Sequence, residues 1–248
     1  MRELPILLSA AMVRAILEGR KSQTRRAVKV PHQNPLGQWE STTVGGFDKH
    51  RVEHPDHAAL WHTRTGDTLI CPYGQPGDRM WVRETWMPGY DHEADHEDGP
   101  KVSVIYRADN AEETVAAPSY ELAEQWQRKF SEDGHDAPPW RSSIHMPRWA
   151  CRLVLEITDV RVERLQDGDG DLDSESRYLA EGIHRIHHGD GAYYYSAFRD
   201  EPHPQNWTHA DSAWRELWTS INGQASWDAN PWVWVVHFFL MVRRPPRP

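Results

Sequence analysis

The eleven residues from Gly19 to Lys29 read Gly-Arg-Lys-Ser-Gln-Thr-Arg-Arg-Ala-Val-Lys, which crowds Arg20, Lys21, Arg25, Arg26 and Lys29 around the hydroxyl of Thr24. Guanidinium and ammonium groups bind phosphate oxygens or polarise a carbonyl, and a threonine hydroxyl can attack an acyl group or orient a water that does. An ammonium cannot accept a proton. Lys21 is therefore a base only where desolvation strips its charge, and otherwise an electrostatic stabiliser. The chain carries 37 acidic against 28 basic side chains, a formal charge of −9, so a positive site on it has to be local. The competing reading is a solvated face of long cations, which is what most charge runs are.

Several elements have to position these groups. Ser9 is placed to cap a short helix with Met12, Val13, Ile16 and Leu17 on one face, and Gly19 to stop it. In a regular strand Lys21 and Thr24, three apart, would face opposite ways, so sharing a site requires a turn or bulge near residues 20–22. Residues 31–66 show no periodicity and read as an insertion that adds little to the core. A Pro-Gly-Asp turn at 76–78 leads a strand in which Met80, Val82 and Glu84 alternate with Trp81 and Arg83. A second insertion from Met87 holds the acidic run Asp91, Glu93, Asp95, Glu97 and Asp98, read as a solvated loop, and a helix over Ser119–Phe130.

The stretch Ile144–Leu165 is expected to be one long strand with a kink before Val160, and Asp173 or Ser174 to cap a brief helix closing on Glu181-Gly182. A third insertion, 184–206, is rich in His, Tyr and Pro. Trp214, Leu217, Trp218 and Ile221 recur at helical spacing, and Pro231–Met241 is apolar enough for a buried strand. The tail 243–248 is expected to be disordered.

Composition narrows the classes. Apolar residues make up only 38% of 248, while 13 tryptophans supply large core fillers. Cys71 and Cys151 have neither disulfide nor zinc spacing. The N-terminal apolar run is too short for a signal peptide and no segment reaches membrane-spanning length, so a cytoplasmic protein with no membrane partner is expected. Overall acidity argues against a general DNA-coating role. His184, His187, His188 and Asp190 read as a loop cluster in a chain with 15 histidines, and no metal is expected. Tyr193, Tyr194 and Tyr195 suit either base stacking or an insertion tip.

A helix, Gly-Arg-Lys-x-x-Thr, a Gly-Asp-led strand, a long strand, a helix closing on Glu-Gly and a last apolar strand together resemble the ASCH family of the PUA-like superfamily. The similarity is greatest to larger phage and prophage members, through Ser9–Arg26 and Trp227–Val236. It implies an α+β fold with a small β-barrel and flanking helices. A single domain would be assembled from 5–30, 66–87, 143–183 and 207–242, with insertions at 31–65, 88–142 and 184–206. Some small bacterial members are amidohydrolases of N4-acetylcytidine that use a Lys, a Thr and a Glu, and others are described as RNA binders or ribonucleases.

Carried onto this chain, the resemblance assigns Lys21, Thr24 and Glu181 the catalytic positions of a cofactor-free amidohydrolase acting on a modified pyrimidine nucleoside. Arg20, Arg25, Arg26, Arg83 and Arg148 are the candidates for contacts to substrate or RNA phosphates. Glu181 at the negative end of a helix is expected to have a raised pKa, opposed by any nearby Lys21. A monomer is favoured. A non-catalytic reader of RNA or of a modified base, and a protein-interaction factor acting through the acidic insertions, are the other readings weighed.

Overall fold

The computed structural model describes residues 1–47, 49–89, 99–132, 139–167 and 174–241. The acidic run at 91–98, the Asp173 cap and the tail 243–248 lie outside the described residues, as does the Ser174 side chain.

In chain order, strand β1 (Glu3–Leu7) leads to helix α1 (Ala10–Leu17), with the Met12 amide 3.4 Å from the Ser9 hydroxyl as its cap. Val13 and Ile16 are buried, and Gly19 at φ +73° turns the chain after the helix. Strand β2 (Gln23–Ala27) follows, then β3 (Trp39–Phe47), β4 (Glu53–His62) and β5 (Thr68–Ile70). Next come β6 (Arg79–Arg83), β7 (Trp86–Pro88), β8 (Lys101–Tyr106), β9 (Glu112–Ala116) and helix α2 (Tyr120–Glu132). Two 3₁₀ turns, Ser143–His145 and Arg148–Ala150, precede β10 (Val154–Arg164). Helix α3 (Ser174–Leu179), strands β11 (His184–His187) and β12 (Tyr193–Ser196), helices α4 (Ala210–Asn222) and α5 (Gln224–Asp228), and strand β13 (Trp232–Leu240) complete the order. The fold is mixed α+β, mostly sheet with few helices.

The chain divides into two compact units. Unit 1 holds residues 1–2, 18–79 and 156–239, and unit 2 holds 3–17, 80–155 and 240–248. In unit 1, β10, β13 and β2 are neighbours in that order, and β2 pairs antiparallel with β13 so that Gln23 faces His237, Thr24 faces Val236 and Arg25 faces Val235. The β11–β12 hairpin and helices α3, α4 and α5 contribute to a core of Leu165, Tyr178, Ile183, Tyr195, Trp214, Trp218, Val233 and Val235. In unit 2, β7, β8 and β9 form an antiparallel sheet, and Trp86 stacks on Trp126 at 5.2 Å over Val102, Val104 and Tyr106.

Several expectations need correction. Among the described residues no sheet closes into a barrel, each having an open strand order. Residues 31–66 are not irregular. They carry β3 and β4, in register from Trp39 opposite His62 to Phe47 opposite Glu53, with an irregularity between Val44 and Gly46, and β4 pairs onward with β5 just beyond. Much of that ribbon is solvated, and among its described side chains only Trp39, Ala59, Leu60 and His62 are buried, so it needed no apolar alternation to signal it. The expected strand at 144–165 begins only at Val154, because Pro147 and the two 3₁₀ turns occupy its first third.

Gly74 takes φ +116°, and a Cβ there would lie 2.8 Å from Ile157 Cδ1 and 3.1 Å from Asp78 Cβ. We expect Gly74→Ala to lower stability by about 1–3 kcal/mol in urea unfolding, from backbone strain and steric conflict together. A value within 0.3 kcal/mol of zero would contradict that reading.

Candidate functional site

Lys21 follows the Gly19 turn and sits in an isolated antiparallel bridge with Glu181, before β2 begins at Gln23. The amides of Ser22 and Gln23 both donate to the carbonyl of Ala180, at 3.0 Å each, which marks an irregular start to the strand. Opposite, Gly182 at φ +97° ends the α3 turn, with the Glu181 amide on Tyr178 O and the Gly182 amide on Leu179 O. Two chain reversals at glycine thus bring residues 160 apart in sequence face to face.

The side chains complete the approach. Lys21 Nζ donates to Glu181 Oε2 at 2.9 Å and to the Glu181 carbonyl at 3.0 Å. Gln23 Nε2 donates to Glu181 Oε1 at 3.0 Å, and Arg25 Nη1 to the same oxygen at 3.2 Å. The other arm of Arg25 reaches Glu163 Oε1 at 3.1 Å, and Glu163 also receives Arg177 at 2.7 Å and Arg161 at 2.9 Å. Arg161 Nη1 donates to His237 Nε2, which assigns the proton of the neutral imidazole to Nδ1. The Arg25 guanidinium lies 5.4 Å from the Trp214 ring and 6.0 Å from that of Tyr178.

This network is enclosed: the side chains of Lys21, Arg25 and Glu181 are 0%, 1% and 2% exposed. Its electrostatics correct the raised pKa expected for Glu181. Burial alone pushes the carboxyl up, but Lys21, Arg25 and the Gln23 amide hold it below its ordinary 4.5. For Lys21, burial is the leading influence and pulls the pKa down, Glu181 opposes it, and Arg26 and Arg25 add to the lowering. Lys21, Arg25, Arg161 and Arg177 confront Glu181 and Glu163, with Asp159 adding only an exposed contact at 3.8 Å, and lysine is the cation in that set able to release a proton.

Of the three residues assigned catalytic positions, Lys21 and Glu181 meet and Thr24 stands apart. Gln23 and Arg25 both point at Glu181, so alternation directs Thr24 to the opposite face of β2, across from Val236. No hydrogen bond joins Thr24 to Lys21 or Glu181. Among the arginines read as phosphate contacts, Arg25 is locked in the network, and Arg26 is largely buried with its pKa lowered chiefly by desolvation. Arg20 is held by Glu18 at 2.5 Å and by the Gly182 carbonyl at 2.6 Å. In unit 2, Arg148 is bidentate to Glu3 at 2.7 and 3.0 Å, and Arg83 donates to the Ile144 carbonyl.

Sequence reasoning did not single out Glu163, Arg161, Arg177 or His237. The available signal was Arg161 and Glu163, two apart on β10, which place polar groups on the same face of a strand. It also missed a second buried cluster, in unit 2, where Arg152 holds both oxygens of Glu84 at 2.9 and 3.0 Å and those of Asp109 at 2.8 and 2.9 Å. Cys71 and Cys151 are free and buried thiols, each raised to about 11 chiefly by desolvation. Among the described residues, no group of three or more His, Cys, Asp or Glu could hold a metal ion, and no helix is long and apolar enough to cross a membrane.

No family model, curated protein or solved structure matches the chain.

Glu181→Gln should cost about 3–5 kcal/mol at neutral pH, since it leaves Lys21 and Arg25 buried against a neutral amide. The wild-type protein should lose stability on acidification. Folding holds Glu181 and Glu163 deprotonated below the 4.5 at which the unfolded chain takes up protons, so the gain is complete above that value and vanishes as pH falls through the lower folded one. Urea midpoints from pH 7 to 3 check this. A slope in Glu181→Gln as steep as the wild type would contradict it.

Proposed function

We propose that the chain is an ASCH-type protein of the PUA-like superfamily, of the larger phage and prophage kind. Its unit 1 hydrolyses the amide of an N4-acylated cytidine or a related modified pyrimidine nucleoside in a cytoplasmic setting. The observation that carries this reading is the 2.9 Å contact between Lys21 and Glu181, which occupy the motif positions and meet across 160 residues of chain.

The chemistry follows from the charge balance around the pair. Amide hydrolysis needs a group that takes a proton from the nucleophile and returns it to the leaving amine. Lys21, with burial and two neighbouring guanidinium groups drawing its pKa down, is the base, and Glu181 orients the amine and stabilises the ammonium that forms. With Thr24 on the other face of β2, the nucleophile is a water activated by Lys21 rather than the threonine hydroxyl. Substrate entry has to open the cover over Lys21, because its side chain has no exposure at rest.

The second reading is a module that binds RNA or a modified nucleic acid without reacting. It is favoured by the same two facts, the full burial of Lys21 and the placement of Thr24, itself buried, on the other face of β2, which suit a structural lock better than a reaction centre. Arg20 and Arg26 would then release their protein partners to phosphates.

Incubation of purified protein with N4-acetylcytidine, followed by chromatography for cytidine and acetate, separates the readings. We expect turnover that falls at least about 100-fold in Lys21→Met and Glu181→Gln and changes less than about threefold in Thr24→Ala. Absence of turnover, or turnover unchanged in folded Lys21→Met, removes the hydrolase reading. Retention of RNA that weakens steeply with salt and is accompanied by no chemistry would install the second.

A further inference from the structure

A cavity of about 440 Å³ in unit 1 lies away from the Lys21 network, with walls that include Gln33, Gln38, Trp39, His62, Arg164 and Trp232. That volume falls within the range of small-molecule sites. In a chain of net charge −9, Arg164 is the one charged residue on the wall among the described residues. Its guanidinium lies 4.4 Å from the Trp232 ring centroid and spends one nitrogen on the Asn230 carbonyl at 3.2 Å. Among the described residues no carboxylate pairs with its side chain, and the Asp167 carboxylate beside it accepts the Arg164 backbone amide instead.

Two further donors in the wall have no acceptor. His62 is buried, and its Nδ1 accepts the Thr65 amide at 3.2 Å, so the neutral ring carries its proton on Nε2. That Nε2–H has no partner, and neither has the indole N–H of Trp232. A buried donor left unpaired costs about 1–3 kcal/mol; both nitrogens are enclosed at rest, so an acceptor from the cavity would be favoured at them once the two rings shift slightly to admit it. Trp39 is not in this position, because its indole N–H is taken by the His32 carbonyl at 3.1 Å. Trp39 and His62 meet edge to face at 5.1 Å, and Gly37 packs so closely that a Cβ there would come within 2.8 Å of His62 Cε1. The imidazole is thereby held against the wall.

We propose that this cavity is a second ligand site, for a small planar ring bearing an oxyanion: Arg164 takes the anion, Trp232 and His62 donate to ring or anion acceptors, and the aromatic walls take the ring face. A cation would find no carboxylate there among the described residues, and a purely apolar ligand would leave both N–H groups unpaired. Carboxylate and phosphate share the chemistry Arg164 recognises.

Titration calorimetry on the full chain tests this with orotate and uridine 5′-monophosphate as the two oxyanion probes, against uridine and inorganic phosphate as their separate halves. We expect saturable one-site binding of at least one ring-bearing anion and at least tenfold weaker binding of either half. Arg164→Met should weaken that binding at least tenfold and Trp232→Phe, which keeps an aromatic face and removes the N–H, severalfold. Binding should survive in folded Lys21→Met, so that failure of the hydrolase reading leaves this site standing. No saturable heat for either anion at millimolar concentration, or equal affinity in folded Arg164→Met and Trp232→Phe, would overturn the proposal.

Discussion

An ammonium and a carboxylate withdrawn from water each lose several kcal/mol of hydration, and their attraction offsets that loss only when the geometry is close and the remaining donors and acceptors are occupied. The Lys21–Glu181 contact meets the first condition and, at the carboxylate, the second, while Arg25 Nε beside it has no partner among the described residues. Nζ sits on a carboxylate oxygen and on the carbonyl of the same residue, while the other carboxylate oxygen is filled by Gln23 and Arg25. Much else in unit 1 answers to this constraint. The turn at Gly19, the doubled amide contact to Ala180 and the positive-φ Gly182 are the backbone means by which two distant segments reach a separation of 2.9 Å.

The network extends outward from that contact in a definite order. Arg25 bridges Glu181 to Glu163, and Glu163 collects Arg161 and Arg177; side-chain exposure is 2% or less at Lys21, Glu181 and Arg25, 14% at Glu163, and 24% and 34% at Arg177 and Arg161. Charge is therefore graded from a sealed centre to a wetted rim, and the Trp214 and Tyr178 rings lie beside Arg25 where it passes through the core. Removing a central group leaves charges without water or partner, whereas removing a rim group returns its partner to solvent.

Part of this was legible in the sequence. Helix α1, its Ser9 cap and its glycine stop, the alternation of Met80 and Val82, the spacing of Trp214, Leu217 and Trp218, and the apolar run of β13 all report burial directly, and each element formed where the pattern placed it. The pattern failed where burial is not the cause of structure. The β3–β4–β5 sheet is held by cross-strand hydrogen bonds with most of its side chains in water, and the 3₁₀ turns before β10 hide in a stretch that reads as β-forming. In the site, Lys21 and Glu181 were paired beforehand only through a resemblance, since nothing local in either segment announces a partner 160 residues away. Thr24 was misplaced because alternation along β2 depends on which neighbour faces Glu181, and Arg25 appeared as a surface cation because a buried arginine needs partners that lie more than 130 residues away.

A double-mutant cycle across Lys21 and Glu181 tests the central claim most directly, with Lys21→Met, Glu181→Leu and the double variant compared by urea unfolding at neutral pH. If the two groups stabilise unit 1 through each other, the double variant will be about 2–3 kcal/mol more stable than the sum of the single losses predicts, since each single change strands a buried charge and the pair of changes strands far less. Additive losses within about 0.5 kcal/mol would contradict the account, showing that the contact carries no coupling and that the fold does not depend on it.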